Sequence, residues 1–333
     1  LLTGGSHPPL PSPGNPHQSR LPAVLQALAV LQKNPGAESM RFDYYAGTIE
    51  DDPKRVVESL GKLGHTLEPC HSLAKAYHYT DGYTVLHNQT GQACRIFMKE
   101  GQRPYAFASS DATDAFCDLM RTEWPDRHLV TRLDPCQDFY DGKARRKLTG
   151  LMRRMAKARR MRLRVIYDPL DPTAGQTTYL GAESSEYRMR TYDKGWEQYG
   201  KLQAQLGRKG FQVPKDISFN VPGGGTVQAD QWIRAELQAR PKDEEARRLA
   251  ACCTPEQAWG LTDWTHDLAQ KAFALELERI YIRARKISKD EEALRWMLRQ
   301  YGGPLRRMAE DLGTWDCVGL TLRDMLQEIE AER

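Results

Sequence analysis

The sequence predicts an α+β protein: an antiparallel-sheet domain over residues 40–240, followed by a helical C-terminal domain over 241–333. Three observations carry this reading. Short stretches of alternating apolar and polar residues recur from Phe42 to Ala239, broken by turn dipeptides such as Asp81-Gly82. After Pro241 the apolar spacing becomes almost wholly helical. The 333 residues exceed one typical domain, and 40% hydrophobic content is enough to bury a core.

The first 39 residues hold seven of the nineteen prolines, including the low-complexity run His7 to Pro16, and read as a disordered leader. Their apolar patch, Leu21 to Leu31, contains Gln26 and lacks a small-residue cleavage signature, so it does not read as a signal peptide. Met40 immediately precedes the first strand and is a candidate true start.

Strands are expected at Phe42–Ile49, Ala76–Tyr79, Thr84–Asn88, Cys94–Met98, His128–Asp138, Leu163–Tyr167, Thr177–Leu180, Glu186–Tyr192 and Gln231–Ala239. Helices are expected at Pro53–Leu63, Asp111–Glu123 and Lys143–Arg160, and then at Glu244–Ala251, Pro255–Arg285, Asp290–Tyr301 and Leu320–Ala331. Gly302-Gly303 suggests a turn between two helical segments, in either a plain hairpin or a helix-turn-helix. Gly223-Gly-Gly225 has no Lys-Ser/Thr after it and reads as a loop, not a nucleotide-binding P-loop.

Composition excludes several classes. No apolar run approaches the ~18 residues needed to span a bilayer, so no membrane association is expected. Seven scattered cysteines with no C-x-x-C pair fit reduced cytosolic thiols better than a disulfide framework or a zinc site. The net charge of +4 is uninformative until it is located. Residues 141–164 contain eleven basic residues and a single acid, which leaves the remainder of the chain net acidic. Within this window Leu148, Leu151, Met152 and Met155 form one apolar helical stripe. Arg145, Arg146, Arg153, Arg154, Lys157, Arg159 and Arg160 cover the rest. The stripe reads as core packing. The basic face reads either as an ordinary solvated surface or as a phosphate grip, and its one-signed charge favours a polyanion. With no aromatic between Tyr140 and Tyr167, such a helix would hold phosphates without stacking on bases.

Strand alternation gives a sharper signal. Arg132, Asp134, Cys136 and Asp138 share one face of their strand. Arg188, Arg190, Tyr192 and Lys194 share a face of another, and Arg234 and Glu236 a face of a third. If the three strands are neighbours, these side chains meet. The meeting can be no more than a solvated face of cross-strand ion pairs. It can also be a catalytic cluster, in which carboxylates hold Mg²⁺ or Mn²⁺, arginines and a lysine hold phosphate, and tyrosine serves as nucleophile. Cys136 alone does not make a zinc site.

The segments Thr131-Arg-Leu-Asp-Pro-Cys-Gln-Asp138, Thr178-Tyr-Leu-Gly181, Tyr187-Arg-Met-Arg-Thr-Tyr-Asp-Lys-Gly195 and Ile233-Arg-Ala-Glu-Leu237, with the opening Met40-Arg-Phe-Asp-Tyr-Tyr45, resemble the replication initiation factor family. That family contains rolling-circle Rep proteins of plasmids and phages and related relaxases of conjugative elements. The resemblance runs from about Phe42 to Arg240. It implies a fold like the His-hydrophobic-His nicking endonucleases without their paired histidines, and the eight histidines here include no His-x-His.

The resemblance further implies that Tyr192 nicks one DNA strand at an origin, leaving a 5′-phosphotyrosine and a free 3′-OH primer. Arg190 and Lys194 then serve the phosphate, and Arg132 and Arg188 bind DNA. Asp134 and Glu236 would hold Mg²⁺ or Mn²⁺, with Asp138 as a third ligand. Tyr187 is the competing nucleophile, although alternation turns it to the opposite face. Pro135-Cys136 departs from the family pattern, because proline can end or bulge a strand, and this affects the placement of Asp138. Expected partners are origin DNA, single-stranded at the nick, a host helicase and a second copy of the chain. Two further readings are a relaxase with the same chemistry and a non-catalytic DNA-binding regulator.

Overall fold

Alternation along the central strands makes each of them two-faced, and the chain resolves this by burying one face under helices. The computed structural model describes residues 40–87, 91–221, 225–273 and 289–331. The leader, its apolar patch and Gly223-Gly224 lie outside the described residues. Ten strands form one fully antiparallel sheet in the order β2-β3-β4-β5-β1-β6-β12-β9-β8-β7. The central strands are β1 (Arg41–Ile49), β6 (His128–Phe139), β12 (Ile233–Ala239) and β9 (Tyr187–Asp193). One wing holds β2 (Thr66–Pro69), β3 (Asp81–His87), β4 (Gly91–Lys99) and β5 (Gln102–Ser109); the other holds β7 (Leu163–Tyr167) and β8 (Gln176–Leu180). A small hairpin, β10 (Ser218–Asn220) with β11 (Thr226–Gln228), stands apart from the sheet.

The main core lies on one face of this sheet. Tyr45, Leu133, Met189, Ala235 and Leu237 point into it from the central strands. They meet Val56 and Leu60 of α1 (Pro53–Gly61), Phe116 and Met120 of α3 (Thr113–Glu123), and Leu148 and Met152 of α4 (Lys143–Arg159). Ala250 of α6 (Glu244–Cys252), Cys253, Trp259 and Leu268 of α8 (Asp263–Phe273) join the same core, and the short α7 (Pro255–Ala258) begins with a Thr254–Gln257 capping box. The helices from Glu244 to Phe273 therefore pack on the core of the sheet, and a second compact unit holds the last two helices. On the opposite face a smaller cluster of Phe97, Phe107 and Ala46 packs with Ala74 of α2 (His71–Ala76), and α5 (Lys194–Gly207) follows directly on β9.

Four differences from the sequence expectation have physical causes. The strand expected at Ala76–Tyr79 is instead the end of α2 and a turn, in which His78 takes a left-handed φ of +65°; Tyr77 and Tyr79 pack their rings against Phe97 and Tyr105. Strand β5 carries aromatics on one face and alanines on the other, so no polar alternation marks it. Helix α5 is disguised by Gly195, Gly200 and Gly207. In the second unit, α9 (Lys289–Leu312) runs unbroken through Gly302-Gly303, and the turn to α10 (Trp315–Ala331) comes at Gly313, where φ is +83°. Thr314 then caps the Cys317 amide, so a helical hairpin forms ten residues later than the glycine pair suggests.

A tyrosine–carboxylate–arginine cluster as candidate active site

Strands β6, β12 and β9 are neighbours, so the three polar faces expected from alternation do meet. In register, Arg234 stands between Asp138 and Tyr192, and Glu236 stands between Cys136 and Arg190. The Tyr192 hydroxyl donates to Glu236 Oε2 at 3.3 Å. Arg190 donates to both oxygens of Glu236, each at 2.8 Å, with its guanidinium 4.8 Å from the centre of the Tyr192 ring. Lys194 Nζ lies 5.7 Å from the same ring centre and donates to Glu197 at 2.7 Å.

Beside this group sits a fully buried arginine. Arg234 grips Asp138 with Nε and Nη2 at 2.7 and 2.6 Å and reaches Asp43 with Nη1 at 2.6 Å. Asp43 was not anticipated as a site residue. Strict alternation places it on the same face as Tyr45, which belongs to the main core. A bulge in β1 between Phe42 and Tyr44 breaks that alternation. Pro135 pairs with Phe42 at the bulge, so β6 continues through the proline and the irregularity falls on its partner strand. Asp138 keeps its place, and Asp43 turns toward Arg234.

Burial sets the electrostatics. It pushes the Glu236 carboxyl up to about 7, with the nearby charge of Asp134 adding to the effect and Arg190 opposing it. Burial also raises Asp134, whose carboxylate is held by Arg132 through Nε at 2.9 and 3.1 Å and through Nη2. The Tyr192 phenol is raised well above its ordinary value by burial and then by the charge of Glu236. Burial resists ionisation of Asp43, but Arg234, Lys194 and Arg41 outweigh it and hold that carboxyl low. Tyr192 is thus a neutral phenol whose proton points at a carboxylate of raised, but still lower, proton affinity.

The metal expectation meets a different arrangement. Oxygen donors of Asp134 and Glu236 suit Mg²⁺ or Mn²⁺ in kind, and the two groups are close enough to perturb each other. Each is nevertheless occupied by an arginine fork, and Asp138 is tied to Arg234. Among the described residues no three His, Cys, Asp or Glu side chains are gathered as a metal-ligand group, and Asp134, Glu236 and Asp138 each face an arginine as they stand. Cys136 is buried and its thiol is pushed up to about 12 by burial.

Tyr187 faces the main core, as alternation expects, and burial raises its phenol. The basic helix α4 turns Leu148, Met152 and Met155 into that same core, which puts it on the reverse of the sheet from Glu236. Only Arg145, near its start, reaches the site end, binding Asp193 at 2.8 Å. Arg159 pairs with Asp267 at 2.5 Å. Arg146, Arg153, Arg154, Lys157 and Arg160 are exposed. Helix α4 is therefore adjacent to the site in sequence but not in space. Gly195 has a visible reason: a Cβ there would collide with the backbone of Ala229, so the turn from Tyr192 into α5 needs glycine.

No protein-family model matches the chain, and no curated protein does. Among solved structures, the rolling circle replication initiator protein from Geobacillus stearothermophilus is similar at a TM-score of 0.39 and 18% identity, over 64% of this chain and 77% of that one. Among the described residues no helix is long and apolar enough to cross a membrane.

Proposed function

We propose that the protein is a DNA strand-nicking and joining enzyme that initiates rolling-circle replication, with Tyr192 as nucleophile. The observation that carries this reading is the Tyr192 hydroxyl donating to a buried Glu236 that an arginine also holds. The sequence resemblance supports the same assignment.

In the proposed step the Tyr192 oxygen attacks the scissile phosphorus while its proton passes to Glu236. The bond from phosphorus to the 3′-oxygen breaks, leaving a 5′-phosphotyrosine and a 3′-hydroxyl that takes up a proton. Arg190, whose side chain is 32% exposed, turns part of its fork to the phosphate and offsets the developing charge. The phosphotyrosine conserves the energy of the broken bond, so the reverse attack rejoins ends. An ion at Asp134 and Glu236 would have to displace Arg132 and Arg190, so in this step Arg190 carries the charge stabilisation. The exposed face of α4 offers a separate phosphate-contact surface for flanking duplex. Origin DNA, a host helicase and a second copy of the chain are the proposed partners; a conjugative relaxase would use the same chemistry.

One observation favours a second reading. Tyr192 is only 6% exposed, which suits a non-catalytic DNA-binding regulator that keeps its tyrosine covered. Incubation with a 3′-end-labelled pool of random single-stranded oligodeoxynucleotides separates the two readings. The nicking enzyme yields a labelled band that survives denaturing electrophoresis and is lost on protease treatment. The regulator yields salt-sensitive binding and no such band.

A further inference from the structure

Down the same sheet face from Tyr192, three arginines gather that have no role in the step above. Ala239 at the end of β12 pairs with Leu133 of β6 and with Tyr187 of β9, so Arg240 emerges beside Arg132 and next to Arg188. Alternation directs all three to the face that carries Glu236. The Arg132 guanidinium sits 4.1 Å from the centre of the Tyr44 ring and that of Arg188 3.9 Å from the centre of the Tyr179 ring, cation–π contacts that hold both in place. Arg188 Nε is buried with no hydrogen-bond partner. Arg240 spends Nη1 on the Glu183 carbonyl at 3.4 Å. The acids nearby are Asp134, bound by Arg132, and Glu183, an exposed side chain 3.5 Å from Arg188.

Gathering arginines is costly, since a guanidinium stays protonated in proteins. Arg240 shows that cost: burial and then the charges of Arg132 and Arg188 depress its proton affinity. An anion supplying oxygens to this cluster would relieve the repulsion and satisfy the unpaired Nε. Arg188 and Arg190 are two strand residues apart, a step of about 6.5 Å, so the cluster begins one such step from the arginine at the scissile phosphate.

We propose that Arg132, Arg188 and Arg240 form a second phosphate site, which holds a neighbouring phosphodiester of the unpaired strand and so sets the direction in which that strand crosses the sheet. The inference rests on the reading of this face as a DNA site, but not on its being catalytic.

The test is anisotropy with a short labelled single-stranded oligodeoxynucleotide over a range of salt, for wild type, Arg240→Gln and Arg240→Lys, each checked for folding by thermal melting. Each phosphate contact on a single strand contributes about 0.7 to the slope of log affinity against log salt. Arg240→Gln is expected to bind several-fold more weakly and to lose about that much slope; Arg240→Lys is expected to keep the slope. A scan with single neutral methylphosphonate linkages should find a position that weakens wild type but not Arg240→Gln. An unchanged slope in Arg240→Gln, or equal sensitivity of both proteins at every linkage, would overturn the proposal. Should Arg240→Gln not fold, the linkage scan on Arg240→Lys decides, because a bidentate site predicts a reduced penalty at the same position and an absent site predicts none. Normal binding maps without any covalent adduct would instead sink the catalytic reading and leave this one standing.

Discussion

Tyr192 and Glu236 sit on adjacent strands, β9 and β12, two residues out of register, and their side chains meet at 3.3 Å with Arg190 forked across the carboxylate. The tyrosine has a raised proton affinity and the carboxylate a value near neutrality, both because they are buried. Proton transfer from phenol to carboxylate is uphill in the free protein. A phosphate that draws Arg190 away from Glu236 makes that carboxylate a better base at the moment of attack.

A pH dependence follows. Glu236 must be ionised to accept the proton, so adduct formation should rise as pH passes upward through about 7. Stability should move the other way. A carboxyl raised in the folded state contributes stability in full below its unfolded value of about 4.3, and loses it as pH rises through the folded value. Glu236→Gln should abolish the adduct and flatten the fall in stability between about pH 4 and 7, a change on the order of 1–3 kcal/mol. Urea melts at several pH values check the second half.

The buried Arg234 makes a structural prediction. Removing one partner of a buried ion pair typically costs about 3–5 kcal/mol. Arg234→Ala would leave Asp43 and Asp138 facing each other without their shared cation. It should lower the denaturation midpoint strongly, and Asp43→Asn should cost less because Asp138 still holds the fork. Chemical denaturation of the two variants orders them.

Much of this was legible in the sequence. The period-two faces of β6, β9 and β12 name Arg132, Asp134, Asp138, Arg190, Tyr192, Arg234 and Glu236 correctly as one surface, because the three strands are true neighbours. Asp43 was hidden by a bulge that reverses the parity of β1, which nothing local in Arg41 to Tyr45 announces. Arg240 was hidden because it lies one residue beyond its strand. The basic helix misled for a third reason: Lys143 to Arg159 follows β6 closely in the chain, but its apolar stripe can be buried only on the helix-covered face. Sequence adjacency and sheet face are independent quantities, and only packing relates them.

Gly195→Ala is expected to shift the start of α5, since the added methyl meets the Ala229 backbone, which no side-chain rotation relieves. The variant should melt at a lower temperature and lose the Lys194–Glu197 contact. Comparison of amide exchange over residues 192–200 in the two proteins reports it.

Arginine occupancy of the carboxylates predicts weak ion binding without DNA. Free Mn²⁺, followed by its electron paramagnetic resonance signal, should be left largely unbound by the DNA-free protein at micromolar concentrations. Tight binding that Asp134→Asn or Glu236→Gln removes would show that Arg132 and Arg190 yield to an ion.

The central claim is the identity of the nucleophile. The most direct measurement is peptide mapping by mass spectrometry of the nuclease-trimmed protein–DNA adduct, with Tyr192→Phe and Tyr187→Phe run alongside. The account predicts a nucleotide phosphate on the peptide bearing Tyr192, no adduct in Tyr192→Phe, and an adduct retained in Tyr187→Phe. A nucleotide on any other residue, or an undiminished adduct in Tyr192→Phe, would contradict it.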